Sequence, residues 1–271
     1  MEPPIAIEEI FPLGKLLEDI FLDSLKANKL KFVQLTLDTY FGFWTLGEVL
    51  TKKNLNKKHL NKQAKHWENI FLSRPNMFGD SPSIAAIKAA EIFNKEGITN
   101  ILELGAGQGS DTLFFAQKGF HIQVLDYSQT GVDKIIKKAK TLGVDKLITG
   151  KVHNVRNPLP FTDEKFGGCF SHMLYCMALS NSDLENLNNE ICRILKPGGI
   201  NIYTARHTDD GDYKNGIHRG EDLYENDGFI VHFFSKEKVN QLSKGFEVLE
   251  VEKFEEGKFP RKLFIVKNRK L

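Results

Sequence analysis

The chain has 271 residues, 41 % of them apolar and 27 % charged, enough hydrophobic side chain for a sizeable core and too little net charge for a disordered chain. Lys and Arg number 37 against 35 Asp and Glu, a formal net charge of +2, so no overall imbalance advertises a polyanionic partner. Three cysteines, Cys169, Cys176 and Cys192, without C-x-x-C spacing exclude a disulfide-stapled fold, suggest no zinc site and fit a reducing cytoplasm. MEPPIAIEEIFP carries acids where a signal peptide carries basic residues, and no window approaches the roughly 18 uninterrupted apolar residues of a membrane span, so a cytoplasmic location with no membrane contact is expected.

Residues 1–75 read as a helical N-terminal extension. Leu16, Leu17, Ile20, Phe21 and Leu25 recur at helical spacing, and Phe41, Phe43, Trp44, Leu46, Val49 and Leu50 form a second apolar cluster. The segment has no nameable motif; a cap over a substrate pocket and a homodimer contact are both open roles for it. Lys52 to Lys65 holds six lysines and His59 with no acid, which we read as a solvated helix face rather than a nucleic-acid arm. Composition shifts near residue 75, and residues 76–271 form the second domain.

From there the punctuation resolves into elements. Ser81 before Pro82 predicts an N-cap and first turn, with Ile84, Ile87, Ala90 and Phe93 on one helical face up to Gly97. Asn100 to Leu104 reads as a strand, Gly105 to Gly109 as a glycine turn, and Asp111 to Ala116 as a helix. Strands are then expected at 121–125, 147–152, 168–172 and 200–205, with helices at 128–142, 183–195 and 236–242. Strands at 246–254 and 262–266 close the chain as a hairpin. The alternation is that of βαβ units in an α/β, doubly wound, mostly parallel sheet.

In such sheets ligands sit beyond the carboxyl ends of the strands at the point where strand order reverses. Gly105, Gly107 and Gly109 let backbone approach a ligand, and Asp126 ends the neighbouring strand where it can accept from two ribose hydroxyls, which points to a nucleoside. The spacing is G-x-G-x-G, with Ser110 where the dinucleotide pattern ends in glycine, which argues against a pyrophosphate. Glu103 beside the turn suits a positively charged ligand.

Glu103-Leu-Gly-Ala-Gly-Gln-Gly109, Asp126-Tyr-Ser128, His153-Asn154-Val155 with Pro158-Leu-Pro-Phe161, and Leu195-Lys-Pro-Gly-Gly199 resemble the successive motifs of class I S-adenosylmethionine-dependent methyltransferases. The resemblance covers residues 76–271. It implies a seven-stranded Rossmann-like sheet with an antiparallel last strand and S-adenosylmethionine as cofactor, S-adenosylhomocysteine being the product. It sets Glu103, Gly105, Ala106, Gly107 and Gly109 against the methionine part, and Asp126, with Tyr127 and Ser128, at the ribose. Asn154 and Val155 flank the adenine, and Ser171 lies at the end of the fourth strand. Asn154 stands where the family usually has Asp, and its carbonyl oxygen retains the ability to accept from the adenine amino group.

The acceptor side must come from other loops. His172 in Ser171-His-Met-Leu-Tyr-Cys-Met177 is a candidate general base or substrate ligand, with an ordinary structural histidine as the alternative. Arg206, His207, His218, Arg219 and Glu221 lie in a long polar connection of the kind that forms lids and binding loops, and a solvated loop is the alternative there. No ligand spacing supports a metal. Trp67 and Phe78 are candidates for an aromatic lid over a sulfonium, or for simple core. The layout of the C-terminal part is similar to the thiopurine and tellurite-resistance branch, which implies a small-molecule acceptor with a soft sulfur or nitrogen nucleophile. Methylation of RNA or protein, and a cofactor-binding module without catalysis, are the alternatives.

Overall fold

The computed structural model describes residues 57–257 and 260–271; the apolar clusters at 16–25 and 41–50 and the start of the lysine run lie outside the described residues. A compact unit spans Asn54–Leu271. Helix α1 (Lys57–Ser73) belongs to it, with Leu60 and Phe71 buried and Lys57, Lys58, Lys62 and Lys65 on its exposed side. The chain continues through α2 (Ile84–Lys95), β1 (Asn100–Leu104), α3 (Ser110–Gln117), β2 (His121–Asp126), α4 (Gln129–Leu142), β3 (Ile148–Val152), β4 (Phe166–Ser171), α5 (Asn181–Ile194) and β5 (Leu195–Arg206). It ends with β6 (Ile217–Gly220), β7 (Leu223–Asn226), β8 (Phe229–His232), α6 (Lys236–Leu242), β9 (Phe246–Glu256) and β10 (Arg261–Lys270).

Seven strands form the main sheet in the order β3-β2-β1-β4-β5-β10-β9. β1 runs parallel to both β2 and β4, while β10 is antiparallel to β5 and β9. The expected doubly wound sheet with its reversed last strand is therefore what the chain builds. Strand order reverses at β1, so the turns after β1 and β4 open side by side at one end of the sheet.

Both faces of the sheet are covered, which explains the continuous apolar runs of β1 and β2. On one face α2 and α3 bury Phe93 and Phe115, and Phe115 meets Phe93, Phe120 and Phe170 at ring separations of 6.3, 5.8 and 5.0 Å. On the other, α5 and α6 bury Leu184, Leu187, Ile191 and Val239 against Leu102, Tyr203 and Phe264. α5 opens with a capping box, Ser180 and Asp183 each closing on the other's backbone.

Two expectations are corrected. The N-cap of α2 is Ser83, whose hydroxyl accepts from the Ala86 N–H at 3.0 Å; Ser83 rather than Ser81 is held here because its own N–H and hydroxyl donate to Asp111 at 2.7 and 2.9 Å. The polar connection after β5 is not wholly irregular: residues 217–232 form a separate three-stranded antiparallel sheet, β6-β7-β8. Its β7–β8 turn is Asp227-Gly228, both at positive φ, the residues a two-residue hairpin turn demands.

Among the described residues no helix is long and apolar enough to cross a membrane, and no group of three His, Cys, Asp or Glu is placed to hold a metal ion. Phe115 is fully buried, so Phe115→Ala should destabilise the fold by about 3–5 kcal/mol, measured as a lower urea midpoint with the m-value unchanged.

Candidate functional site

The turn after β1 is shaped by its glycines. Gly105, Gly107 and Gly109 take φ of 70°, 57° and 86°, which a side chain would strain. A Cβ on Gly109 would lie 2.4 Å from Ile135 Cγ1 of α4, so this glycine lets α3 and α4 pack rather than admitting a ligand. Gly131 in the first turn of α4 is a glycine for the same kind of reason: its Cβ would lie 2.4 Å from the Gly107 carbonyl oxygen. Gly107 faces Phe71 and Phe78, whose rings would lie 3.6 and 3.8 Å from a Cβ there.

Asp126 closes the turn from the side. Its Oδ2 accepts the Gly107 N–H at 2.8 Å and its Oδ1 accepts the Ser128 N–H at 2.8 Å, and each carboxylate oxygen keeps a further lone pair for a ligand hydroxyl. Burial pushes its pKa up to about 6 against the pull of those amides, with the nearby Glu68 adding to the rise. Glu103 is fully buried and accepts from the Thr112 hydroxyl at 2.6 Å. Burial first, then Asp111 and Asp126, push it up to about 8. Burial also raises Asp111. Three carboxyl groups crowded at one turn are relieved by a positive charge beside them, which fits a cationic cofactor. Ser171, at the carboxyl end of β4, has a buried hydroxyl with no partner, the kind of polar atom a ligand satisfies.

A cleft lies at the ends of β2 and β3, lined by Gln63, Trp67, Tyr127, Asn154, Val155 and Leu174 among others. Tyr127 and Val155 supply walls. The Asn154 side-chain oxygen accepts the Arg156 N–H at 3.1 Å, and Arg156 pairs with Asp183 at 3.2 Å. Trp67 closes the cleft from α1, 5.6 Å from Phe71, 6.3 Å from Phe78 and 5.1 Å from Phe229. The two aromatics singled out in the sequence thus stand over the glycine turn and the cleft.

On the β4 and β5 side, both ring nitrogens of His172 are engaged. Nδ1 lies 3.0 Å from the Thr204 hydroxyl and Nε2 lies 3.1 Å from Glu256 Oε2. Thr204 Oγ1 also accepts the Met173 N–H at 2.8 Å, so one hydroxyl joins the ring to the chain that follows it. Although burial opposes it, the His172 contact holds Glu256 below its usual range. This knot ties together β5, the end of β9 and the residue after β4, where Met173 takes a φ of 63°, a conformation that persists only when its surroundings enforce it.

The Arg206 guanidinium is buried against Asp210 and Asp212, 3.1 Å (Nε) from Asp210 Oδ2 and 2.6 Å from Asp212 Oδ2, with Phe233 beneath it at 5.2 Å. His207 is buried, accepts the Asp209 N–H at 3.1 Å and is held low by burial and by Lys253. His218 stacks on Tyr224, Arg219 pairs with Glu225 at 2.6 Å, and Glu221 accepts the Asn181 N–H at 2.7 Å. These groups are spent within the chain, organising the turn after β5 and the small sheet.

Sequence reasoning passed over Glu68, Gln108, Thr204 and Glu256. Gln108 pins the segment after α1 to the glycine turn, accepting from Met77 N–H at 3.1 Å and donating to the Arg74 carbonyl at 2.8 Å. Glu68 reaches Ser128 and Thr130. The partners of these residues lie 31 to 172 positions along the chain, where no local pattern announces them. The Asp227-Gly228 pair between two short apolar runs was the one readable signal of the second sheet.

Residues 101–199 match the methyltransferase domain family model. The chain is 35 % identical over 121 residues to phosphoethanolamine N-methyltransferase 1 of Triticum aestivum, over 43 % of this chain and 23 % of that protein; it thus spans about a quarter of the length of the curated relative it matches. Among solved structures it resembles the 1,6-didemethyltoxoflavin-N1-methyltransferase of Burkholderia thailandensis with bound 1,6-didemethyltoxoflavin and S-adenosylhomocysteine, at TM-score 0.64 and 16 % identity over 79 % of this chain and 89 % of that one. TehB of Haemophilus influenzae matches at TM-score 0.57 and 16 % identity, over 76 % and 67 %. The segment that matches the methyltransferase domain model, residues 101–199, carries the glycine turn and the strand-end acid, within a sheet whose order at one edge is 3-2-1-4-5.

Proposed function

We propose that this chain binds S-adenosylmethionine across the ends of β1, β2 and β3 and transfers its methyl group to a small-molecule acceptor. The observation that carries the reading is Asp126, fixed by the Gly107 and Ser128 amides at 2.8 Å each with lone pairs left for a ribose diol. The cofactor supplies an electrophilic sulfonium methyl and leaves as S-adenosylhomocysteine. Gly105, Ala106 and Gly107 provide backbone against its methionine part, Tyr127 and Ser128 flank the ribose, Asn154 and Val155 border the adenine, and the unpartnered Ser171 hydroxyl is available to the amino-acid end. Trp67, Phe71 and Phe78 exclude water and offer aromatic faces to a cation.

The acceptor reading follows from His172. With Nε2 on Glu256 and Nδ1 on Thr204, this histidine orients the turn carrying Met173 rather than taking a proton, and Arg206 and His207 are likewise positioning groups. Soft sulfur nucleophiles and neutral amines attack a sulfonium methyl without a base, so alignment and desolvation carry the catalysis. The relatives named for N-methylation, one of them of the small molecule 1,6-didemethyltoxoflavin, point the same way. The first test is incubation of the full chain with methyl-labelled S-adenosylmethionine and cell extract: label in the small-molecule fraction supports the reading. Label in RNA or protein replaces the acceptor, and bound cofactor without transfer replaces the enzyme by a binding module.

Asp126→Ala should weaken S-adenosylhomocysteine binding by about 2–3 kcal/mol through loss of charge-assisted hydrogen bonds. Calorimetry checks it, and unchanged affinity removes Asp126 from the site. The pH dependence has a definite sign. Asp126 ionises near pH 6 in the folded chain, and the diol donates to the ionised form, so wild-type affinity should fall as pH drops from 7.5 through 6 to 5. The same titration on Asp126→Asn should be flat over that window.

A further inference from the structure

Helix α1 meets the ribose side of the site through one acid. Ser128 donates its N–H to Asp126 Oδ1 at 2.8 Å and its hydroxyl to Glu68 Oε2 at 2.5 Å. The same hydroxyl accepts the Gly131 N–H at 2.9 Å, so its one proton is committed to Glu68. Glu68 Oε1 takes the Thr130 N–H at 3.2 Å and the Thr130 hydroxyl, at the N-terminus of α4 where a carboxylate is favoured. An unbroken path of hydrogen bonds thus runs from the Gly107 N–H through Asp126 and Ser128 to Glu68. On its other flank the same helix holds the second sheet: Gln63 donates to the Gly228 carbonyl at 2.7 Å and accepts the Ile230 N–H at 3.4 Å, and Trp67 packs on Phe229.

We propose that Glu68 is a positioning residue that couples occupation of the cofactor site to the seating of α1, and through α1 to the β7–β8 turn. The inference rests on the nucleoside-binding reading of Asp126 given above. Glu68 and Asp126 are like charges sharing one serine, and Glu68 adds to the rise of Asp126. Ligand hydroxyls donating to Asp126 relieve that repulsion, so the site when filled favours Glu68 on Ser128 and Thr130. By linkage, a seated α1 strengthens ligand retention by the same factor. The helix then presents Trp67 to the cleft and Gln63 to Gly228 together, so cofactor binding prepares the wall against which an acceptor rests, giving cofactor-first order.

The test uses the full chain carrying Trp44→Phe, which leaves Trp67 as the sole tryptophan, with S-adenosylhomocysteine as the probe. Stopped-flow fluorescence gives its dissociation rate, and hydrogen exchange reports residues 57–73 and 223–232. Glu68→Gln should speed dissociation about tenfold or more, as expected for loss of hydrogen bonds to a charged group, and should abolish ligand-dependent protection of both segments. Thr130→Val leaves Glu68 in place, removes one of its donors, and should shift both readouts in the same direction by a smaller factor. Wild-type dissociation rates and protection in both variants, with ligand still bound, overturn the coupling and leave the functional reading intact. Failure of the parent protein to bind S-adenosylhomocysteine at all overturns both.

Discussion

The structure is organised around one carboxylate at the reversal of strand order. Asp126 stands at the end of β2, accepts the Gly107 amide from the turn after β1 and the Ser128 amide at the start of α4, and so ties three segments together. β1 and β2 are in register from Asn100 opposite His121 to Leu104 opposite Leu125, which leaves the glycine turn and Asp126 as the next residues on either strand. The two glycines at the closest approaches follow from that geometry. Gly109 must lack a Cβ because Ile135 lies against it, and Gly131 because the Gly107 carbonyl does. The turn is therefore held rigid by packing on α4 before any ligand is considered, and preorganisation of this kind lowers the entropic cost of binding.

Burial gives that rigidity an electrostatic cost. Glu103, Asp111 and Asp126 are all raised by desolvation, and Glu103 and Asp126 disfavour each other's ionisation. A group held protonated in the fold destabilises the ligand-free protein as pH rises through its folded pKa. The crowding is tolerable at a site that a cation completes, in the same way that strained conformations persist at functional sites. Met173, left-handed and locked by the Thr204 and His172 contacts, is a second such investment on the neighbouring strand end.

Much of this was legible in the sequence, for reasons that differ by element. β1, β2, α4 and the terminal hairpin were readable because burial imposes apolar runs and 3.6-residue periodicity directly on local sequence. The glycine turn and Asp126 were readable because close approach and a strand-end acid leave few residue choices. Ser83 displaced Ser81 as the cap of α2 through a contact with Asp111, 28 positions away, and the second sheet was hidden in strands of four residues each whose one local sign was Asp227-Gly228. Glu68, Gln108 and Glu256 are ordinary polar residues on exposed-looking stretches. Their importance is set by which elements the fold lays side by side, and that is not a property of any window of sequence.

His172 shows why a residue's type and position do not settle its role. It stands in the loop where a base would act, at the end of the strand next to the glycine turn, and a sequence argument fairly places it among catalytic candidates. The structure commits both its nitrogens, one to Glu256 and one to Thr204, and a proton acceptor must have a lone pair directed at the reacting group. To act as a base His172 would have to give up its contact with Thr204 or with Glu256. That agrees with the function proposed above, in which the site aligns its reactants and excludes water, which is sufficient when the electrophile is a sulfonium methyl and the nucleophile is soft.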